Sequence, residues 1–221
     1  MSAIDAVGRR VQAAYAGRPR GERLHVAGRL RSCPIDVVAA ATPSSGEILD
    51  FGCGHGVVSL YLAMTSPDRR VTGVDVDDEK IVDAQAAAKT ADVDVAFETV
   101  APDYRPSGQW EGIVIVDVLY LLGQRSAFEV LDAAAGALVA GGVLVVKEVD
   151  TRPRWKYWVA AAQEFVATKI LRITEGTQVE FVPPSVFADR LRGHGLHVEQ
   201  RPCDRGRLHP HHLIVATKAA S

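Results

Sequence analysis

Apolar and polar residues follow one another along this chain in two distinct rhythms. Ile4, Val7, Val11 and Tyr15 recur at three- and four-residue intervals, which predicts an amphipathic helix over roughly residues 3–16. The stretch AGRPRGERL, rich in glycine, arginine and proline, breaks that helix. Pro34 can open a second, short helix ahead of the loop TPSSG. From residue 46 the rhythm changes. Short apolar runs predict strands at EILDFG, RVTGVDV, DVDVAF, GIVIVDVLYLL (a strand and then a loop) and GVLVVKEV. Helical spacing marks the segments between them, HGVVSLYLAMT, DDEKIVDAQAAAKT and AFEVLDAAAGALVA. The second of these has acids in its first turn, where the helix dipole favours them. Strands alternating with helices of this size predict βαβ units and a parallel sheet. Sheets of this kind bind ligands beyond the carboxyl ends of their strands.

Past residue 150 the alternation stops. TRPRWKYWVAAAQEFVATKILRITEG reads as one long helix after Pro153, with Trp155, Trp158, Val159, Ala162, Phe165, Val166, Ile170 and Ile173 on one stripe. A helix starting at a proline pair, PPSVFADRLRGHG, follows, and then the strands LHVEQRP and HHLIVATK. These two strands are close enough to pair as a hairpin-like edge. The expected organisation is one domain over residues 1–221. It comprises an N-terminal helical cap (1–45), a core (46–150), a helical insertion (151–182) and a C-terminal helix with a strand pair (183–221).

Composition narrows the class. The 221 residues are 48% hydrophobic and 24% charged, which excludes disorder and fibrous repeats. A net charge of −2 argues against a dedicated nucleic-acid binder. The charge is unevenly spread. Residues 1–31 carry seven arginines against Asp5 and Glu22; residues 32–150 carry seven basic and nineteen acidic groups; residues 151–221 carry eleven basic and six acidic groups. Cys33, Cys53 and Cys203 form no disulfide framework and contain no Cys-x-x-Cys pair, so a reducing cytoplasm is the expected compartment. No run approaches the roughly 18 apolar residues of a membrane span. Contact with a membrane surface stays open.

The informative segment is ILDFGCGHG, residues 48–56. Asp50 is followed by Gly52, Gly54 and Gly56, after a strand and before a helix. Glycines serve where a chain turns sharply and a ligand comes close to the backbone. A dinucleotide fingerprint would place its third glycine where this chain has Val57. Asp50 would repel a pyrophosphate but could pair with an ammonium group. Asp75 ends the next strand, nineteen residues after Gly56, and a carboxylate there suits ribose hydroxyls. A ligand carrying both an amino-acid ammonium and a ribose is S-adenosylmethionine.

ILDFGCGHG and VTGVDVDDEKI resemble the first two motifs of class I S-adenosylmethionine-dependent methyltransferases. The resemblance covers roughly residues 45–150, with IVIVDVLYLL and LVAGGVLVVKEVD in the later places. It implies a Rossmann-like, doubly wound, mostly parallel seven-stranded sheet with an antiparallel last strand. It implies that Asp50 and the backbone of Gly52, Gly54 and Gly56 hold the methionine part of S-adenosylmethionine, leaving S-adenosylhomocysteine as product. It implies that Asp75 holds the ribose and that Val76 packs on the adenine. Glu98 or Thr99, in AFETVAPD, stands where the family's third motif faces the adenine amino group, although the common Gly-Asp pair is missing. Asp117 is expected near the methyl-donor end. Cys53 and His55 read as small or adaptable loop fillers, with Cys53 counted among the cofactor-loop residues.

The acceptor is less constrained. The loop Asp117-Val118-Leu119-Tyr120 differs from the Asn/Asp-Pro-Pro-Tyr loop of enzymes that methylate exocyclic amines, which points to a small molecule rather than a nucleic acid. An acceptor oxygen is favoured over nitrogen or carbon, and an anionic, lipophilic or aromatic metabolite suits the cations and aromatics outside the core. Tyr120, Glu148, Arg152, Trp155 and Tyr157 are the expected substrate-side residues. Asp117, His209 and His211 are the catalytic candidates, with Glu148 and Asp150 as competing bases; no metal site is evident. Two other classes remain: a peripheral lipid-modifying or lipid-sensing protein, and an S-adenosylmethionine-binding protein without turnover. A monomer and a homodimer both fit.

Overall fold

The computed structural model describes residues 4–149, 182–203 and 211–220. The expected helix over residues 153–173 lies outside them, as do Asp150, Arg152, Trp155, Tyr157 and His209. Three helices come first: α1 (Ala6–Ala14), α2 (Arg20–Ser32) and α3 (Ile35–Ala41). Then follow β1 (Gly46–Phe51), α4 (Val57–Thr65), β2 (Arg69–Asp75), α5 (Asp78–Ala91), β3 (Val95–Thr99), β4 (Trp110–Val116), α6 (Leu119–Ala137) and β5 (Leu138–Val149). After the undescribed stretch come α7 (Pro184–Gly193), β6 (His197–Pro202) and β7 (His211–Thr217).

The strands form one seven-stranded sheet in the order β3-β2-β1-β4-β5-β7-β6. The first five run parallel, and β7 is antiparallel to both β5 and β6. This is the doubly wound sheet with its antiparallel last strand that the motifs imply. The chain leaves β1 toward β2 on one side and returns to β4 on the other. Such a reversal opens a crevice at the carboxyl ends of β1 and β4.

The central strands read as continuous apolar runs because both their faces are covered. Side chains alternate between faces. Ile48, Val71, Val114, Val116 and Val145 pack with α1, α3, α4 and α5 on one side. Leu49, Val74, Ile113, Ile115, Leu144 and Val146 pack with α6 and α7 on the other. In α4 every residue from Val57 to Leu62 is buried. A helix that is apolar all round must be covered on its outer face as well, and α1, α2 and α3 lie against it.

Two local expectations are corrected. The stretch AGRPRGERL does not remain open: α2 begins at Arg20, with Pro19 as its N-cap. Only Val26 and Leu30, four residues apart, are buried on it. So narrow an apolar face, in a segment rich in glycine and arginine, leaves tertiary contacts to hold the helix. Residues 119–122 are also not loop. They form the first turn of α6, which breaks at Gly123 (φ +71°, ψ 158°) before continuing. Elsewhere the shifts are small: β3 starts three residues later than the apolar run, and β5 four residues earlier.

Candidate active site

The glycine loop sits at the carboxyl end of β1, in the crevice. Gly52, Gly54 and Gly56 all have positive φ (+74°, +52° and +76°). Gly56 caps α4, and a Cβ there would lie 2.7 Å from Phe97 Cζ and 2.8 Å from Ala84 Cβ. Gly54 is different. A Cβ on it would meet nothing nearer than Lys80 Cδ at 3.9 Å. One glycine serves packing, while the other leaves open space beside the backbone.

Acidic side chains brace this loop. Asp50 is 1% exposed and accepts the Ser59 hydroxyl of α4 at 2.5 Å. Burial pushes its carboxyl up to about 6, against the opposing pull of Ser59 and Arg29. Asp75 accepts from the Gly54 amide at 2.8 Å and the Asp77 amide at 3.0 Å. Each carboxylate oxygen has about two acceptor sites, so both oxygens of Asp75 keep capacity for further hydroxyls. Val76, next along, is 57% exposed, as an apolar side chain is beside an open platform. In register with Val74 and Asp75 stand Glu98 and Thr99, both exposed at the end of β3. Cys53 is buried, and burial first, then Asp50 and Asp75, raises its thiol far above its ordinary value. It is therefore an inert filler.

The cap closes over the loop. The Tyr15 hydroxyl donates to the His55 carbonyl. The His25 ring of α2 stands 5.0 Å from that of His55. Burial, His55 and nearby cations push His25 down to about 4, so both rings stay neutral near pH 7, His55 being lowered by burial and Lys80.

A second cluster lies at the ends of β4 and β5. Asp117 adopts a left-handed backbone (φ +58°), which Asp tolerates better than most residues. Its carboxylate takes two cations: Lys147 Nζ on Oδ1 and Arg29 Nη1 on Oδ2, the latter at 2.6 Å. Arg29 Nη2 also donates to the Val116 carbonyl at 3.1 Å. Burial would raise the Asp117 carboxyl, but Lys147 and Arg29 outweigh it and hold it well below the usual range. Asp117 is thus a fixed anion at neutral pH. Glu148 shows the opposite result. Its Oε1 accepts the Val118 and Leu119 amides at 3.1 and 2.9 Å, at the start of α6, while burial and then Asp117 push its carboxyl up to about 8. Tyr120 is half-buried in the same helical turn. His211 is buried, with Nε2 at 2.7 Å from the Ser32 carbonyl.

Arg29, His25, Ser59 and Lys147 are the residues that sequence reasoning missed. Lys147 had a signal. It interrupts the apolar run LVVKEV, and a lysine in a strand covered on both faces must find an anion. Arg29 had none, because its helix was itself unrecognised.

Residues 48–142 match the sequence family described as a methyltransferase domain. The chain is 30% identical over 155 residues to a ubiquinone biosynthesis O-methyltransferase of Paramagnetospirillum magneticum, covering 69% of this chain and 60% of that protein. It spans between 54% and 67% of the length of the ubiquinone biosynthesis O-methyltransferases it matches. Among solved structures it resembles an O-methyltransferase family protein from Burkholderia thailandensis (TM-score 0.71, 20% identity, covering 100% of this chain and 64% of that one). It also resembles the magnesium protoporphyrin IX methyltransferase of Synechocystis with bound S-adenosylhomocysteine (TM-score 0.63, 17% identity, covering 98% and 96%). At these identities the structural likeness speaks to the fold. Residues 48–142 thus carry a methyltransferase domain, on a fold shared with S-adenosylmethionine-dependent methyltransferases of solved structure.

Proposed function

We propose that this protein transfers the methyl group of S-adenosylmethionine to an oxygen of a small-molecule acceptor. One observation carries the cofactor part of the reading: the open Gly54 cradle lies beside Asp75 and exposed Val76, where the strand order reverses. The residues fit the group. Asp75 would take the ribose hydroxyls and Val76 the adenine face, with Glu98 or Thr99 at its rim. Asp50 and the backbone of Gly52, Cys53, Gly54 and Gly56 would hold the methionine part. The oxygen acceptor is supported by the O-methyltransferases among the relatives.

When bound, S-adenosylmethionine supplies an activated methyl group on a sulfonium, so the protein's own work is orientation and exclusion of water. Glu148 holds the amides that open α6 and so fixes the turn that presents Tyr120. Lys147 and Arg29 keep Asp117 ionised and immobile. A base is needed only if the acceptor must lose a proton. Asp117 is too acidic for that task, and His211 is engaged through Nε2 with Ser32.

Calorimetry with S-adenosylhomocysteine tests the cofactor site, and the expected result is one-to-one binding. A folded sample that binds none, with or without phenolic and carboxylic probes, overturns the reading. Release of S-adenosylhomocysteine from S-adenosylmethionine in the presence of phenols or carboxylic acids, but not amines, tests the acceptor atom. The peripheral-membrane class turns on residues 153–173, which lie outside the described residues; among the described residues no helix is long and apolar enough to cross a membrane.

A further inference from the structure

We propose that the protein forms a twofold dimer by pairing β6 with β6 of a second copy, in the register that places Gln200 on the axis. β6 is an edge of the described sheet, and all of its residues but Val198 are exposed. The backbone decides which of its groups face outward. β6 and β7 are antiparallel with Pro202 opposite His212, which puts Cys203 opposite His211. The Cys203 amide donates to the His211 carbonyl at 2.8 Å, so these two form a hydrogen-bonded pair. Such pairs alternate with non-hydrogen-bonded ones along an antiparallel ladder. Arg201, Glu199 and His197 therefore point their backbone groups at β7, while Pro202, Gln200 and Val198 point theirs at the free edge. Pro202 agrees with this, since it has no N–H to give to a ladder. Val198 agrees too, because its carbonyl is reached by a side chain, Arg192 Nη2 of α7, at 3.5 Å.

A second β6, run antiparallel with Gln200 opposite itself, matches this edge group by group. The two Gln200 residues exchange both of their backbone bonds. Each Val198 N–H meets the carbonyl of the partner subunit's Pro202. Pro202 has no N–H to return to the Val198 carbonyl, and that is the carbonyl Arg192 already serves. The side chains select the same register. It sets Glu199 opposite the partner subunit's Arg201, twice, in non-hydrogen-bonded pairs, where side chains lie closest. Both residues are exposed, and the Glu199 side chain is 73% so. Sliding the strands to the next register one way sets Glu199 opposite itself and His197 opposite the partner subunit's Arg201. Sliding them the other way sets Arg201 opposite itself. Like charges directly opposite are destabilising. A contact of this kind uses the same patch on both copies, so it closes at two.

The test is sedimentation velocity on the full chain, in a concentration series reaching about 0.3 mM, because an edge contact lies at the small end of specific interfaces. The expected result is a monomer–dimer equilibrium with no larger species. Gln200→Pro removes the N–H on the axis, which β7 does not use, and should weaken association at least about tenfold while the melting curve stays near the parent's. Glu199→Arg and Arg201→Glu each set like charges opposite one another, and each alone should stay monomeric. Mixed in equal amounts the two should form a heterodimer, and the double variant Glu199→Arg/Arg201→Glu should regain the parent's self-association. These exposed substitutions keep the test decisive if Gln200→Pro fails to fold. A parent that stays monomeric throughout overturns the proposal. So does a dimer that keeps the parent's strength in Gln200→Pro or in either single charge reversal, since the copies then meet elsewhere or in another register. Mixed single variants that remain monomeric overturn it as well, and so does a parent that grows past the dimer.

Discussion

Gly54 and Gly56 are two residues apart in one loop, and alanine at each should fail in a different way. Both have a left-handed backbone, where a Cβ costs about 1–2 kcal/mol. At Gly54 that is the whole structural cost, because the nearest atom to a Cβ is 3.9 Å away. At Gly56 the Cβ would press on Phe97 and Ala84, at 2.7 and 2.8 Å. Both neighbours are buried in the core between α5 and β3 and cannot retreat, so overpacking adds about 1–3 kcal/mol. Gly56→Ala should therefore lose about 2–5 kcal/mol in total, and at about 2–4 °C per kcal/mol for a chain of this size its melting point should fall by about 4–20 °C. Gly54→Ala should melt only about 2–8 °C lower. Cofactor affinity should reverse the order. A methyl group on the open side of Gly54 occupies the space a ligand needs, and S-adenosylhomocysteine should bind at least about tenfold more weakly, or about 1.4 kcal/mol. Differential scanning calorimetry reads the first effect and isothermal calorimetry the second. If Gly54→Ala binds S-adenosylhomocysteine as the parent does, no ligand approaches that backbone and the cradle argument fails. If Gly56→Ala melts no lower than Gly54→Ala, the packing argument fails.

Three further outcomes follow from the charges. Asp75→Ala should weaken S-adenosylhomocysteine by about 1.5–3 kcal/mol, the worth of hydrogen bonds to a charged group; unchanged affinity by calorimetry removes Asp75 from the site. Lys147→Met breaks a buried pair, which costs about 3–5 kcal/mol where no partner remains; because Arg29 stays on Asp117, denaturant unfolding should show a loss below that range, and a loss at its upper end would mean that Arg29 does not compensate. Glu148 governs a pH dependence. Its folded pKa, about 8, lies above the ordinary 4.5, so the folded state binds more protons in that window and stability falls as pH rises through it. Glu148→Gln should match the parent near the acid end of that window and exceed it near the alkaline end in urea midpoint, and parallel pH profiles would refute the assignment.

The core was legible because its signals are local. Strands β1, β2 and β4 announced themselves as apolar runs, and Asp75 stood at a strand end at a fixed distance from a glycine loop. The acids in the first turn of α5 followed from helix-terminus chemistry, and the structure adds Asp77 as its N-cap. The cap over the crevice was less legible. α2 has a narrow apolar face and intrinsic helix signals diluted by Gly21 and Gly28, so its existence depends on what it packs against. The first turn of α6 read as loop because it is ended by Gly123 and held from outside, by Glu148 on β5.

The alternation of strands and helices, the glycine loop and Asp50 before it were therefore determined by the sequence itself, since each depends on residues a few positions apart, and Asp75 was marked by its place at the end of the next strand. The partners of Asp117 were decided only by the tertiary structure. Arg29 lies 88 residues away and Lys147 30, and both arrive through strand order and helix docking. A buried carboxylate does not select its cation by sequence distance, because electrostatic attraction acts through space and only the folded topology sets that space.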